Sequence, residues 1–184
     1  MSRVHIIPNF LTKQECTTVL VECKNNLELK QAVIGSKPEV DLKFRKSSVA
    51  FIKDLGIVNT KLMTQLTELV KIKGFNISEL ERFQFTEYQV GEFYNWHRDS
   101  ATDSPKYAER FYSTVIQLND DYTDGELEII MDRKENSLPK GLGTLYLFPS
   151  NFMHRVKPIS SGIRYSLVNW IKLNKDLNTK NTLI

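Results

Sequence analysis

Residues 141–170 read GLGTLYLFPSNFMHRVKPISSGIRYSLVNW, and this stretch decides the fold. Two apolar runs of strand character, Gly143 to Phe148 and Ile163 to Lys172, flank a shorter extended piece, His154 to Pro158. Short runs of this kind, bounded by Gly, Pro, Asn and Ser, mark antiparallel strands. The last run contains a cation, Arg164. Burying an unpaired guanidinium is costly, so Arg164 must point to solvent, join a cross-strand ion pair or meet a carboxylate from a ligand. Period-two alternation puts Arg164, Ser166, Val168 and Trp170 on one face of the strand and Ile163, Tyr165, Leu167 and Ile171 on the other. The second set is apolar and suits a core, so the first set is expected to line a cavity.

Working outward, the same reading applies to Arg82–Val90, Phe111–Asn119 and Glu126–Met131. In the first of these, Phe83 and Phe85 share one face and Gln84, Thr86 and Tyr88 the other, so Tyr88 can share the cavity with Arg164. Earlier in the chain a strand is expected over Arg3–Ile7. Thr12 and Glu15 then form a capping box before a helix that runs to about Asn26. Val40–Ile52 reads as extended, and Asn59–Lys73 carries Leu62, Leu66, Leu69 and Val70 at helical spacing, ending at Gly74. Helices first and antiparallel strands after predict an α+β fold, a jelly-roll or cupin-like barrel braced by N-terminal helices. One domain is expected over 1–184, with 1–78 as helical support, 79–173 as the β core and 174–184 as a C-terminal tail. The longest irregular pieces, Ser100–Arg110 and Asp132–Leu142, are expected to form a lid and a hairpin.

Composition excludes several classes. With 184 residues, 41% apolar and 26% charged, the chain suits a folded domain with its own core. A net charge of +3 is too mild for an electrostatic footprint on nucleic acid. Pro8 and Asn9 interrupt the N-terminal run, no signal-peptide core is visible and no stretch is long enough to span a membrane, so a cytoplasmic protein is expected. Cys16 and Cys23 lie about two helical turns apart, too far to bridge, and are expected to be reduced and packed.

The chemistry begins at YQVGEFYNWHRDS, residues 88–100. His97 and Asp99 leave the same face of an extended segment, where an imidazole and a carboxylate can share a metal ion. A single His-x-Asp is a weak signal, equally readable as an Asp that orients a surface His. His154 strengthens it, because an antiparallel barrel can bring that residue back beside the pair. Two histidines and one carboxylate fill one face of an octahedron and leave three positions open, the arrangement of non-haem Fe(II) oxygenases. Zinc would normally be tetrahedral with fewer open positions. A dicarboxylate that chelates the metal at one end and meets Arg164, Ser166 and Tyr88 at the other would satisfy the buried charge. His5 is left over and is assigned to the N-terminal strand as a structural residue.

These segments, in order, resemble a known family. The runs from Tyr88 to Asp99 and from Arg110 to Asn119, then DGELEII, LYLFPS, HRVKP and GIRYSLVNW, look like the Fe(II)/2-oxoglutarate-dependent dioxygenases of the prolyl 4-hydroxylase type. The opening NFLTKQEC is also similar to that family's. The resemblance implies a double-stranded β-helix core, Fe(II) held by His97, Asp99 and His154, and the distal carboxylate of 2-oxoglutarate held by Arg164. It implies O2 as the oxidant, succinate and CO2 as products, and ascorbate as the reductant. Tyr88 matches a tyrosine of the cosubstrate pocket. Gln117 stands where the animal oxygen-sensing members carry a tyrosine that helps to bind 2-oxoglutarate, a departure from the pattern at a cosubstrate position. Tyr94, Arg110 and Trp170 match positions that face the peptide in those members, and the partner implied is a proline-containing peptide or protein. Three other readings remain open: hydroxylation of a free amino acid or another small molecule, a non-catalytic cupin-like module, and a metal-dependent hydrolase. The superfamily's nucleic-acid demethylases carry a second arginine six residues after the first, where this chain has Trp170, so nucleic acid ranks low as a partner.

Overall fold

The computed structural model describes residues 4–34, 40–71, 75–100, 107 and 109–175. The chain enters as strand β1 (His5–Ile7) and turns into helix α1 (Lys13–Asn26). Thr12 caps this helix through both halves of the expected box: its hydroxyl accepts from Glu15 N, and Glu15 reaches back to Thr12 N at 2.7 Å. Strands β2 (Lys30–Gln31), β3 (Arg45–Lys46) and β4 (Ser48–Ile52) follow, then helix α2 (Ile57–Lys71). The remainder is β5 (Phe75–Leu80), β6 (Phe83–Tyr88), β7 (Phe93–His97), β8 (Arg110–Gln117), β9 (Thr123–Asp124), β10 (Leu127–Met131), β11 (Lys134–Ser137), β12 (Leu145–Pro149), β13 (His154–Val156), β14 (Ile159–Ser161) and β15 (Arg164–Lys175).

Three sheets result. The major one runs β1-β12-β8-β15-β6-β4-β2, with β5 also paired to β15, and the minor one runs β11-β10-β13-β7-β3. Strands β9 and β14 form a two-stranded ribbon. Every pairing between these strands is antiparallel, and the whole is the α+β double-stranded β-helix fold. Alternation on the major sheet separates two cores. Leu145 and Leu147 of β12, Ile116 of β8, and Leu167 and Ile171 of β15 point outward, where Cys16, Val19 and Cys23 of α1 and Val58, Leu62 and Leu66 of α2 cover them. Tyr146 and Phe148 of β12 point inward, against Leu127 and Ile129 of β10 and Val156 of β13. The helices brace one face of the sheet, leaving its other face to build a cavity with the minor sheet.

Several local expectations change. Val40–Ile52 is not continuous: a turn at 42–44 breaks it, with Asp41 O accepting from Phe44 N and Arg45 N. Residues 1–78 supply more than helices, since β1, β2 and β4 join the major sheet and β5 crosses the 78/79 boundary. Within 132–142 the hairpin is real but short, β10 pairing with β11 from Glu128↔Ser137 to Met131↔Lys134. Strand β15 runs on to Lys175, and 176–184 lie outside the described residues. Most of the expected lid does too, at 101–106 and 108. Cys16 and Cys23 are free and buried, with burial pushing their thiols up to about 11 and about 12. Among the described residues no helix is long and apolar enough to cross a membrane.

Candidate active site

Strand pairing closes the long sequence gap between the two histidines. His154, the first residue of β13, is the direct cross-strand partner of His97, the last of β7, and their rings lie 4.1 Å apart between centroids. Asp99 sits just beyond β7, where Asp99 N and Ser100 N both donate to Ser150 O. Its carboxylate lies 3.7 Å from His97 Nε2 through Oδ1 and 3.5 Å from His154 Nε2 through Oδ2. The three ligand atoms lie within 4.8 Å of one another.

Backbone contacts fix the orientation of the donors. His97 Nδ1 bonds Asn95 O at 2.7 Å and His154 Nδ1 bonds Phe152 O at 2.9 Å. A carbonyl can only accept, so in each ring the proton sits on Nδ1 and the Nε2 lone pair faces the cluster. Burial, and then the neighbouring His154, push His97 well below the ordinary imidazole range, which keeps it neutral and able to ligate. For Asp99, burial alone would raise the carboxyl, but the two imidazoles and the Ser113 hydroxyl outweigh it and hold it below its usual value. Ser113 donates to Asp99 Oδ2 at 2.6 Å and meets Ser150 Oγ at 2.9 Å. Sequence reasoning missed Ser113 and Ser150, because a serine in a strand or turn carries no periodic signal.

This cluster opens into a cavity of about 670 Å³ that also contains Arg164, Ser166, Val168 and Trp170, the predicted face of the last strand, together with Gln84 and Tyr88. Arg164 is 1% exposed and forms no ion pair among the described residues. Its Nη1 donates to Ser166 Oγ at 3.1 Å, its guanidinium lies 5.4 Å from the Tyr88 ring, and it meets the Tyr122 hydroxyl. Its Nε has no hydrogen-bond partner. Burial removes the solvent-facing reading of this arginine, and among the described residues no carboxylate pairs with it. A buried cation with donors to spare fits a carboxylate supplied from outside the chain. Beside it, Gly125 makes room for Ile159: at φ +68° a Cβ there would lie 2.1 Å from Ile159 Cδ1.

Gln117 departs from expectation. It stands opposite Ser166 in the β8–β15 register, but its Nε2 donates to Asn119 O and Tyr165 O. Its amide is spent on the backbone at the end of β8, and it does not line the cavity. Arg110 is engaged as well, through a two-pronged pair with Glu81 at 2.8 and 2.6 Å. Its guanidinium also lies over the ring of Trp170 at 3.7 Å and over that of Tyr107 at 4.4 Å. The Tyr94 ring stacks on His97 with centroids 3.5 Å apart, so it forms the wall beside the donors. His5 pairs in β1 opposite Leu147, away from the cluster.

Comparison with known proteins gives the same answer. The sequence profile of the 2OG-Fe(II) oxygenase superfamily matches residues 83–172, from the start of β6 into β15. A PKHD-type hydroxylase of Synechococcus sp. strain CC9902 is 33% identical over 129 residues, covering 68% of this chain and 53% of that protein. A PKHD-type hydroxylase of Psychrobacter sp. strain PRwf-1 is 35% identical over 94 residues, 48% of this chain and 36% of its own. The chain thus spans about half or less of the length of these curated relatives. Among solved structures, a Trichoplax adhaerens prolyl hydroxylase in complex with a hypoxia inducible factor peptide fragment superposes with a TM-score of 0.76 at 18% identity, covering 97% of this chain and 87% of that one. A Pseudomonas putida prolyl-4-hydroxylase gives 0.71 at 20% identity, with 94% and 93% covered. Likeness at this identity speaks for the fold, and the profile and curated relatives speak for the lineage: the chain belongs to the 2OG-Fe(II) oxygenase superfamily, and within it resembles the prolyl hydroxylase type.

Proposed function

We propose that this chain is an Fe(II)- and 2-oxoglutarate-dependent dioxygenase that hydroxylates prolyl residues of a peptide or protein, and that 1–184 carry one such catalytic domain. The observation that carries the reading is Arg164, a buried guanidinium that has no ion pair among the described residues and shares a cavity with two histidines and a carboxylate. A hydrolase or a passive cupin-like module has no use for that unpaired cation.

In this reading His97 Nε2, His154 Nε2 and the Asp99 carboxylate hold Fe(II), leaving three coordination positions open. Arg164, with Ser166 and Tyr88, holds the distal carboxylate of 2-oxoglutarate, while Gln117 is withdrawn from that set. When bound, iron, 2-oxoglutarate and O2 supply the oxidising chemistry, giving succinate, CO2 and a hydroxylated substrate. The chain contributes placement. Asn95 O and Phe152 O hold the imidazole tautomers, Ser113 and Ser150 hold the carboxylate, and Val115, Leu127, Val156 and Val168 keep the cavity wall apolar. Tyr94, Trp170 and Arg110 form the wall for the substrate, where Arg110, already engaged by Glu81, serves to hold the Trp170 indole flat rather than as a free cation.

Ascorbate as reductant and a cytoplasmic location, suited to two free thiols, belong to the same proposal. The test is mass spectrometry of proline-containing peptides incubated with the protein, Fe(II), 2-oxoglutarate and ascorbate. The expected result is a mass gain of one oxygen on proline, matched by succinate. Succinate without any proline modification would move the substrate to a free amino acid or another small molecule. The absence of both products would overturn the oxygenase reading.

A further inference from the structure

A second buried guanidinium lines the same cavity. Arg45, on β3 of the minor sheet, is 6% exposed, and its Nη2 has no hydrogen-bond partner. Among the described residues it forms no ion pair, its one side-chain bond being from Nε to Ser47 Oγ at 3.0 Å. Its guanidinium carbon lies 4.4 Å from the centre of the Tyr94 ring, whose face in turn lies against His97. Phe44 meets Tyr94 edge-on at 5.9 Å, and Ser47 is fully buried, so the arginine is held from several sides rather than loose. A desolvated cation with a spare donor is costly unless something anionic arrives. The cosubstrate already has its cation in Arg164, which belongs to another sheet and bonds Ser166 and Tyr122, although both guanidiniums act on the Tyr88 hydroxyl. The same cavity is also lined by Val33, Phe44, Val49 and Phe51, of which Val33 and Phe51 are 42% and 44% exposed. These side chains give the cavity exposed apolar surface, with Arg82 lying over the Phe51 ring.

We propose that Arg45 is a second carboxylate-recognition point, one that reads an anionic group on the substrate beside the target proline. This rests on the oxygenase reading above and specifies the substrate class: the proline carries a nearby carboxylate. Two sources supply that chemistry, an acidic side chain flanking the proline in a peptide and a free α-carboxylate on the proline itself.

Equilibrium binding tests this without turnover, using the full chain loaded with Mn(II) and 2-oxoglutarate under nitrogen. The probes are matched twins: peptides with Glu or Gln on either side of proline, peptides ending in proline as the acid or the amide, and L-proline against L-prolinamide. At least one carboxylate member is expected to bind about tenfold or more tightly than its amide twin, as a charge-assisted contact at a buried site requires. Which pair differs names the source. In Arg45→Gln that difference should collapse, and Arg45→Lys should restore part of it, since Lys keeps the charge without the fork. Equal binding of every twin by the wild type overturns the proposal with no variant needed. So does a preference that survives intact in Arg45→Gln, or a loss of 2-oxoglutarate affinity in that variant as large as in Arg164→Gln. Because binding is read apart from catalysis, failure here is distinct from failure of the mass-gain assay, which bears on the oxygenase reading itself.

Discussion

Replacing Arg164 by methionine separates its cost to the empty protein from its value to the loaded one. In the protein alone, the guanidinium is 1% exposed, its Nε is unsatisfied and it has no ion pair among the described residues. Exchanging a desolvated, unpaired charge for an apolar chain of similar length should leave stability unchanged or raise it. With 2-oxoglutarate the sign reverses. At about a hundredfold excess over Kd, the wild type gains about 2.7 kcal/mol. For a chain of this length that is roughly 5–11 °C in Tm. Losing a charge-assisted contact costs about 1.5–3 kcal/mol of binding, a roughly 10- to 150-fold weaker Kd. At the same ligand concentration the variant therefore gains only about 0.3–1.4 kcal/mol. Thermal unfolding with Mn(II) in place of iron, with and without 2-oxoglutarate, reads both effects in one plate. Equal ligand-induced shifts would refute the assignment of Arg164. A ligand-free variant many degrees less stable than wild type would show that the guanidinium is already satisfied within the chain.

Other expectations follow from the same contacts. Ser113→Ala removes the 2.6 Å donor to Asp99 Oδ2 and should weaken Mn(II) or Fe(II) binding about 10- to 100-fold, as lost outer partners of metal ligands do; an unchanged titration would mean that the backbone alone orients the carboxylate. Leu62→Ala opens a cavity where α2 packs on the major sheet at a fully buried side chain and should cost about 2–5 kcal/mol in urea unfolding. A loss below about 1 kcal/mol would mean that the helix is not part of the cooperative core. Cys16 and Cys23, their thiols raised by burial to about 11 and about 12, hold almost no thiolate at pH 8. Alkylation by iodoacetamide should therefore wait for unfolding, and fast labelling of the native protein would contradict that burial.

Much of this site was legible in the sequence because a strand has a period of two and a wrong register would expose every apolar residue at once. That rule separated Arg164, Ser166 and Trp170 from Tyr165, Leu167 and Ile171, and Tyr88 from Phe85, and the structure keeps each on the predicted side. What escaped was local or long-range in ways composition does not record. Strand β7 is half-buried except at Asn95, which is exposed, and FYNWH shows no apolar alternation, although its pairing with β13 is what brings His97 to His154. Arg45 lies within Val40–Ile52, which reads as one extended run, and nothing in that reading shows the turn at 42–44 that sets the arginine against Tyr94. Only the family resemblance places Gln117 at a cosubstrate position, where it already departs from the pattern, and its Nε2 donates instead to the carbonyls of Asn119 and Tyr165. The resemblance places Arg110 at a peptide-facing position, and its pair with Glu81 is not visible there because the two stand 29 residues apart.

The central claim is that one metal ion and one dicarboxylate fit between three donors and a guanidinium. Anaerobic crystals soaked in Mn(II) and 2-oxoglutarate test it most directly. The expected density is a metal on His97 Nε2, Asp99 and His154 Nε2, chelated by a molecule whose far carboxylate pairs with Arg164. A metal bound elsewhere, or that carboxylate lying away from Arg164, would contradict the account.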